Sequence, residues 1–229
     1  MKIEYSDVDR KLNLSLFSSA NFIQNIMIRF LGEMNLANNK IRKDYNAFWV
    51  VSKLKIHFKK YPKLLDTVAY HTFISGKSKI RLNLDYIFSD SSDSILFLAK
   101  QELCPVDWNT RKIKKLDCLD RLSIDNSKMS FSRWGWNIDE FEKCYDYTVL
   151  YCDTDSNYHV NNTSYIRFIL NAFDSKFFDM HTIRDLEIHY INECHEKDTI
   201  SIYKKTLDNK ILFIITCNNI KIIEAKLII

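Results

Sequence analysis

Apolar residues recur at helical spacing in two stretches of the chain. The first stretch contains five apolar residues three or four positions apart: Leu16, Ala20, Ile23, Met27 and Phe30. The second stretch contains a similar set: Tyr165, Ile166, Ile169, Leu170 and Phe173. This spacing predicts two helices with one apolar face each. Ser15 stands where it would cap the first helix, and Asn162 or Thr163 stands where it would cap the second.

Runs of alternating or β-branched residues follow each predicted helix, and such runs predict β-strands. In the first half of the chain they span 49–58, 66–75, 79–89 and 94–103. In the second half they span 186–192, 198–207, 210–217 and 220–229. Short polar turns separate the runs, so each half is predicted to be one helix followed by an antiparallel meander.

The two halves are related as an internal repeat. Residues 54–68 align without a gap with residues 186–200, and residues 5–23 align with residues 151–169. The first copy carries extra polar residues, 32–46, after its helix, and we expect these to be an insertion. A repeat of this length predicts two structural units of the same fold.

A helix followed by an antiparallel meander, present twice, predicts an α+β protein of two tandem hotdog folds. In that fold the sheet wraps around a central helix, whose inward face must be apolar. Two fused copies would form a pseudo-dimer. We expect an N-terminal hotdog at 1–108, a charged and irregular linker at 109–140, and a C-terminal hotdog at 141–229.

Composition narrows the class of protein. Charged residues make up 27% of the chain, and the 33 basic residues are nearly balanced by 29 acidic ones, which does not indicate a nucleic-acid partner. No apolar run reaches the roughly 18 residues needed to span a bilayer, and the N-terminus lacks an apolar signal segment, so we expect a cytoplasmic location. The six cysteines form no C-x-x-C pair and no zinc-type spacing. We therefore expect free thiols, no metal and no cofactor.

Polar side chains distinguish the second copy from the first just before its helix. The second copy has DTDSNYHVNN at 153–162, where the first has the blander DVDRKLNLSL. The side chains confined to the second copy are those of Asn157, His159, Asn161 and Asn162. Further along, Glu193 and Cys194 stand where the first copy has Tyr61 and Pro62. Because one copy is polar and the other is bland, the polar copy is the better candidate for a site.

The string D-x-N-x-H-V-N-N-x-x-Y, followed by Glu-Cys, resembles the acyl-ACP thioesterases of plants and bacteria. The matching residues are Asp155, Asn157, His159, Val160, Asn161, Asn162 and Tyr165, then Glu193 and Cys194. In the first half, WVVSKLKIHFKKYPKLLDTV at 49–68 is similar to a further stretch of that family. The run AKQELCPVDWNTRKI at 99–113 departs from the family pattern, which affects the lining expected for an acyl pocket.

The resemblance implies hydrolysis of acyl-ACP to a free fatty acid and holo-ACP. This reaction needs an activated water or nucleophile, stabilisation of the oxyanion, and a proton for the leaving thiolate. Backbone N–H groups at 160–162, where the second helix starts, would bind the thioester oxygen. Glu193 would act as general base or position the water, and His159 would share the proton. Asn157 would hold the water, the carbonyl or the imidazole, and Asp155 would orient these groups or be the base itself.

Cys194 allows a second mechanism, in which its thiol acts as a nucleophile with His159 and Asn157. The alternative for this cysteine is a buried structural role. Asp155 also has an alternative role as a turn cap, because Asp9 occupies the same place in the first copy. Asn161 and Asn162 have an alternative role as caps of the second helix. The sequence leaves these questions open.

The acyl chain would lie in an apolar tunnel beside the longer first helix. Its predicted walls are Phe22, Ile26, Phe30, Trp49 and Val51, all of which also suit an ordinary core. Acidic ACP would dock on basic residues. Two clusters are candidates: Lys59, Lys60 and Lys63, and Arg111, Lys112, Lys114 and Lys115. A monomer and a homodimer both remain open.

Three other functions fit parts of the pattern. An acyl-CoA thioesterase of the hotdog class would use the same residues with a different docking surface. A hotdog hydratase also has a D-x-N-x-H string, but there the Asn is usually followed by Pro, where this chain has Tyr158. A hotdog that binds acyl groups without cutting them would not need the full set of polar residues.

Overall fold

The chain divides between Ser130 and Phe131 into two units, in a computed structural model that describes residues 1–155 and 157–229. In each unit the main helix is followed by an antiparallel meander, which is the order predicted from the sequence, and in the second unit one more strand, Glu142–Thr148, precedes that helix. The predicted linker, 109–140, is shared between the units, because the division falls inside it.

The first unit has two helices, α1 (Leu16–Glu33) and α2 (Asn38–Tyr45). Its strands are β1 (Ala47–Phe58), β2 (Ala69–Ser78), β3 (Arg81–Ser89) and β4 (Ile95–Asp107). These strands pair antiparallel in the order β2-β3-β4-β1. All four predicted strands of this half are confirmed, with ends shifted by a few residues.

The core of the first unit combines alternate strand residues with one face of α1. On β3, Leu82, Leu84, Tyr86 and Phe88 are fully buried because every second side chain points to the same side. Phe88 stacks on Phe97 of β4, with ring centroids 3.9 Å apart. The predicted apolar face of α1 is confirmed, since Leu16, Ala20, Ile23 and Met27 are all buried.

The polar insertion predicted at 32–46 contains α2, a helix that the sequence reasoning did not predict. The guanidinium carbon of Arg42 lies 3.5 Å from the ring centroid of Trp108. The indole N–H of Trp49 donates to the carbonyl of Leu36, with an N–O distance of 2.8 Å. These contacts attach the insertion to β1 and to the segment after β4.

The second unit has two helices, α3 (Asn162–Leu170) and α4 (Ser175–Met180). Its strands are β5 (Glu142–Thr148), β6 (Asp185–Tyr190), β7 (Thr199–Leu207), β8 (Lys210–Cys217) and β9 (Ile220–Ile228). They pair antiparallel in the order β6-β9-β8-β7-β5. β5 corresponds in the first unit to a single bridge between Lys2 and Thr67.

Side-chain caps begin the main helix of each unit. The Ser15 hydroxyl oxygen accepts the N–H of Ser18 at 3.0 Å, which confirms the predicted cap of α1. At α3 the cap is Asn161, whose side-chain oxygen accepts the N–H of Thr163 at 3.0 Å. The predicted caps, Asn162 and Thr163, were wrong because both already lie inside the first helical turn.

The loops that lead into α1 and α3 share backbone hydrogen bonds at matching positions. The loop before α1 contains the bonds Asp9 N–H to Asn13 O (2.8 Å) and Leu14 N–H to Pro62 O (2.7 Å). The loop before α3 contains the bonds Asp155 N–H to His159 O (2.9 Å) and Val160 N–H to Cys194 O (2.8 Å). Leu12 and Tyr158, at the matching turn position, both have positive φ, at 58° and 64°. The internal repeat is therefore confirmed at the level of individual backbone bonds.

A strap, defined here as Ser132–Trp136, crosses two strands of the second unit. The Glu187 carboxylate on β6 accepts the N–H of Ser132 at 2.6 Å. The Glu224 carboxylate on β9 accepts the N–H of Trp136 at 3.0 Å. The strap thus fixes the start of the second unit to its sheet. None of the helices in the described part of the chain is both long and apolar enough to cross a bilayer.

Candidate active site

Asp153 organises the loop that leads into α3, and only 1% of its surface is exposed. One carboxylate oxygen accepts the Tyr147 hydroxyl at 2.8 Å and the Leu150 N–H at 2.9 Å. The other oxygen accepts a guanidinium N–H of Arg167 at 2.7 Å. The Asp153 carbonyl accepts the N–H of Asn161 at 2.8 Å. This network fixes the backbone that carries the polar residues of the second copy.

The loop brings His159 next to Glu193, although the two residues are far apart in sequence. The distance between His159 Nε2 and Glu193 Oε2 is 3.4 Å. The His159 side chain is 17% exposed and the Glu193 side chain is 42% exposed, so water can reach both. An imidazole beside a carboxylate can pass a proton to and from water near neutral pH.

Asp155 and Asn157 form a tight turn on the same loop. The Asp155 carboxylate accepts the backbone N–H of Asn157 at 2.8 Å. In the first copy, the Asp9 carboxylate accepts the backbone N–H of Lys11 at the same distance. The contacts of Asp155 therefore match its alternative role as a turn cap, which sets the backbone path toward His159.

Two of the three backbone N–H groups predicted to bind the thioester oxygen already donate hydrogen bonds to backbone carbonyls of this protein. The Val160 N–H donates to the Cys194 carbonyl, and the Asn161 N–H donates to the Asp153 carbonyl, both at 2.8 Å. Asn162 is the first residue of α3, so the helix itself provides no carbonyl for its N–H. Binding of the thioester oxygen by the N–H of Asn162 stays a prediction.

The sulfur of Cys194 is enclosed by the core, and the residue is fully buried. Burial raises the pKa of this thiol to about 12, and the Tyr165 hydroxyl and the Cys217 thiol lie within hydrogen-bonding reach of it. The thiolate is the nucleophilic form of cysteine, so a thiol that stays protonated at neutral pH is a poor nucleophile. These surroundings favour a non-nucleophilic role for Cys194.

The residues predicted to line an acyl pocket lie on α1 and β1. Ile26, Trp49 and Val51 are buried, whereas Phe22 and Phe30 are half-buried at the margins of the helix face. Their positions suit an ordinary core as well as a pocket wall. Binding of an acyl chain by these residues stays a prediction.

The two basic clusters differ in whether their side chains already form ion pairs within the protein. Lys59, Lys60 and Lys63 are all exposed. In the other cluster, the Lys114 ammonium binds the Asp107 carboxylate at 2.7 Å. This ion pair and two backbone N–H bonds hold the pKa of Asp107 well below its usual range. The first cluster is therefore the freer candidate for an acidic partner.

His195 is a neighbour of the site that the sequence reasoning missed. It forms an isolated antiparallel bridge with His159, and the two ring centroids are 4.8 Å apart. Lys63 has the same place in the first copy, where it forms a bridge with Asn13. The replacement of this lysine by histidine in the second copy is the sequence feature that could have identified His195 as part of the site.

Two family models match successive parts of the chain. The acyl-ACP thioesterase N-terminal domain matches residues 1–118. The acyl-ACP thioesterase C-terminal domain matches residues 137–225. The first match contains the insertion, and the second contains the paired His159 and Glu193.

The curated relatives include plant proteins. The chain is 23% identical over 223 residues to oleoyl-acyl carrier protein thioesterase 2 of Arabidopsis thaliana, covering 90% of this chain and 60% of that protein. It is 26% identical over 160 residues to the palmitoyl-acyl carrier protein thioesterase of Gossypium hirsutum, covering 65% of this chain and 39% of that protein. The chain therefore spans between 39% and 60% of the length of these two relatives.

Solved structures share the fold. An acyl-ACP thioesterase from Bacteroides thetaiotaomicron superposes with a TM-score of 0.92 at 21% identity, covering 100% of this chain and 95% of that chain. The 12:0-ACP thioesterase from Umbellularia californica superposes with a TM-score of 0.83 at 15% identity, covering 99% of this chain and 94% of that chain. The predicted α+β hotdog fold is confirmed by these likenesses. With both of its domains matched in order along the sequence, the chain belongs to the acyl-ACP thioesterase family.

Proposed function

We propose that this protein hydrolyses the thioester of acyl-ACP and releases a free fatty acid and holo-ACP. The observation that carries the proposal is the pairing of His159 Nε2 with Glu193 Oε2 at 3.4 Å, beside the start of α3. The first copy has Asn13 and Tyr61 at the same positions, so it has neither the imidazole nor the carboxylate there. The fold does not require the imidazole–carboxylate pair, which supports a chemical role for it.

In the proposed reaction, Glu193 takes a proton from water while the water oxygen attacks the thioester carbon. The carbonyl oxygen becomes an oxyanion, and the N–H of Asn162 binds it with the help of the positive end of the α3 dipole. The oxyanion then re-forms the C=O bond, the new C–O bond remains, and the C–S bond breaks. Glu193 passes its proton to the neighbouring His159, and His159 passes a proton to the departing sulfur, which leaves as the thiol of holo-ACP.

The remaining polar residues of the motif have supporting roles in this proposal. Asn157 holds the attacking water or the carbonyl through its amide. Asp155 and Asp153 are positioning residues, because their carboxylates bind backbone N–H groups of the loop that carries His159. Their loss would act on the reaction through the position of the imidazole.

The acyl chain enters an apolar pocket on α1 and β1 in this proposal, and the partner is an acyl carrier protein. The names of both curated plant relatives refer to an acyl carrier protein, which supports this partner. Carrier proteins of this class are acidic, so the exposed cluster of Lys59, Lys60 and Lys63 suits the contact. A cytoplasmic location and the oligomeric state stay predictions.

The test is release of free thiol from matched panels of acyl-ACP and acyl-CoA substrates. We expect the wild-type protein to cleave acyl-ACP. Glu193→Gln should lower kcat/KM by about a hundredfold or more, because general base catalysis contributes that much. His159→Asn, which introduces the residue of the first copy, should have an effect of similar size.

The matched control is Glu196→Gln, which removes an exposed carboxylate from the same connection between β6 and β7. It should leave thiol release unchanged. If the protein cleaves acyl-CoA in preference to acyl-ACP, and the variants lose activity to the same extent, the substrate in this proposal would be acyl-CoA instead of acyl-ACP. No thiol release by the folded wild-type protein would overturn the enzymatic function.

The same assay separates the two possible nucleophiles. Cys194→Ser should retain most of the activity, because the buried thiol is protonated at neutral pH and is therefore not the nucleophile. A loss as large as that of Glu193→Gln, in a variant that still folds, would favour covalent catalysis by the thiol.

A further inference from the structure

Cys194, Asp198 and Cys217 form a cluster of metal-ligating side chains in the second unit. Two sulfur atoms and one carboxylate oxygen, one atom from each residue, lie within 4.8 Å of one another. Both cysteines are buried, and the Asp198 side chain is 33% exposed, so the cluster meets solvent at its carboxylate. An ion can enter from that side.

We propose that these three residues bind one Zn²⁺ ion, with a water molecule as the fourth ligand. Zn²⁺ takes four ligands in a tetrahedron, and thiolates and carboxylates are among the groups that it binds. Mg²⁺ and Ca²⁺ prefer sites made of oxygen, so two sulfur ligands disfavour them. The donor set thus identifies the class of metal.

The three ligand atoms can hold such an ion once they move slightly closer to one another. With Zn–S bonds of about 2.3 Å and a Zn–O bond of about 2.0 Å, ligand atoms of a tetrahedral site lie roughly 3.5 to 3.8 Å apart. The present separations are no larger than 4.8 Å. Each pair of atoms therefore needs to approach by no more than about 1.3 Å, which side-chain rotation can supply.

The ligands come from three separate places in the second unit. Cys194 lies in the connection between β6 and β7, Asp198 directly precedes β7, and Cys217 is the last residue of β8. A bound ion would join this connection to the end of β8. Because the Cys194 carbonyl accepts the Val160 N–H at 2.8 Å, the ion would also steady the approach to α3.

The first copy indicates that the fold does not need the thiol of Cys194. There, Pro62 stands in the place of Cys194, and Asp66 stands in the place of Asp198. Both aspartates accept a backbone N–H from three residues upstream at 2.8 Å, so this turn is common to the two units. A carboxylate that accepts one N–H keeps lone pairs for a metal. The sulfur of Cys194 is therefore a feature that the second copy adds to this shared turn.

Binding of the ion has a defined proton balance. Two S–H bonds break, two Zn–S bonds form, and the two protons pass to the solvent. A free cysteine thiol is mostly protonated at neutral pH, so both sulfurs carry a proton before the metal binds. Metal binding should therefore release about two protons per ion at neutral pH.

The experiment uses the full chain, fully reduced and freed of metal by a chelator that is then removed. Co²⁺ serves as a coloured substitute for Zn²⁺. We expect one Co²⁺ per chain, a charge-transfer band from thiolate to cobalt, and loss of both on addition of equimolar Zn²⁺. Zn²⁺ should also raise the thermal midpoint, and more so at higher concentration, because it binds the folded state.

Cys217→Ala should lose about half or more of the charge-transfer intensity, because one of the two thiolates is gone, and it should weaken Co²⁺ binding by at least about tenfold. Asp198→Asn should weaken binding while keeping the band, since both sulfurs remain. The matched control, Cys152→Ser, removes an exposed thiol of the same unit and should bind like the wild-type protein. Absence of the band from the wild type at equimolar Co²⁺, or a band of undiminished intensity in Cys217→Ala, would overturn the proposal.

Discussion

Asp153 and Asp7 occupy matching positions in the two copies, but their carboxylates have different surroundings. Each accepts an N–H at the start of its turn, from Leu150 and from Glu4, both at 2.9 Å. Asp153 is also buried and paired with Arg167. The second copy thus adds a charged network to a turn that both copies share.

Asp153→Asn should lower the free energy of unfolding by about 2 kcal/mol, because one buried acceptor oxygen becomes an NH₂ group that cannot accept a hydrogen bond. Asp7→Asn, the matched control, should cost less than about 1 kcal/mol, since Asp7 is half-buried and binds one backbone N–H. Urea denaturation of both variants measures the difference. Equal losses would contradict the assigned importance of the Arg167 pair.

The strap shows how an element without regular structure is held to a sheet. Its ends bind Glu187 and Glu224, carboxylates that are almost fully buried. In its middle, Trp134 stacks on His189 with ring centroids 4.3 Å apart, and the Lys226 ammonium lies 4.9 Å from the Trp134 ring centroid. Buried acceptors thus satisfy the backbone of a segment that has no strand neighbour of its own.

Glu187→Leu should free the strap while keeping side-chain volume on β6. It removes the acceptor of the Ser132 N–H, and the resulting local opening should speed tryptic cleavage after Arg133 by about tenfold or more. Glu142→Leu, a change at an exposed carboxylate of β5, should leave the cleavage rate as it is. Equal rates for wild type and Glu187→Leu would show that the carboxylate does not hold the strap.

Over the whole molecule, the two units share a fold and differ in chemistry. Each unit contains a tyrosine with a raised pKa, Tyr86 in the first unit and Tyr190 in the second. Burial raises both pKa values well above the usual value for tyrosine. The Tyr86 hydroxyl donates to the Gln101 side-chain oxygen at 2.6 Å, and the Tyr190 hydroxyl donates to the Asn162 carbonyl at 3.2 Å. Both hydroxyls stay protonated in the folded state at pH values where they would ionise in the unfolded chain.

Stability should therefore fall at alkaline pH. A group whose pKa is raised on folding keeps its contribution below the unfolded pKa of about 10 and loses it as pH rises above that value. At about pH 11, Tyr86 and Tyr190 together should cost about 3 kcal/mol relative to pH 8. Urea denaturation at the two pH values tests this. The double variant Tyr86→Phe, Tyr190→Phe should show a smaller drop, and an unchanged drop would contradict the assignment.

The sequence by itself determined the elements and the family. Apolar spacing predicted α1 and α3, alternation predicted the strands of both meanders, and the polar motif around His159 pointed to the family that both domain models match. Such signals lie within short windows, where periodicity and motif spacing depend only on neighbouring residues. The insertion helix α2 was missed because its residues are mostly polar and its attachment depends on Trp108, which lies far along the chain.

Only the tertiary structure decided which side chains meet. Strand register and the connections between strands bring Glu193 to His159, and they turn the sulfur of the next residue, Cys194, toward Cys217. The cysteine spacing predicted no metal site, because the three grouped ligands come from different parts of the meander. Contacts between residues distant in sequence follow from how the sheet pairs and packs, and no local pattern records that pairing.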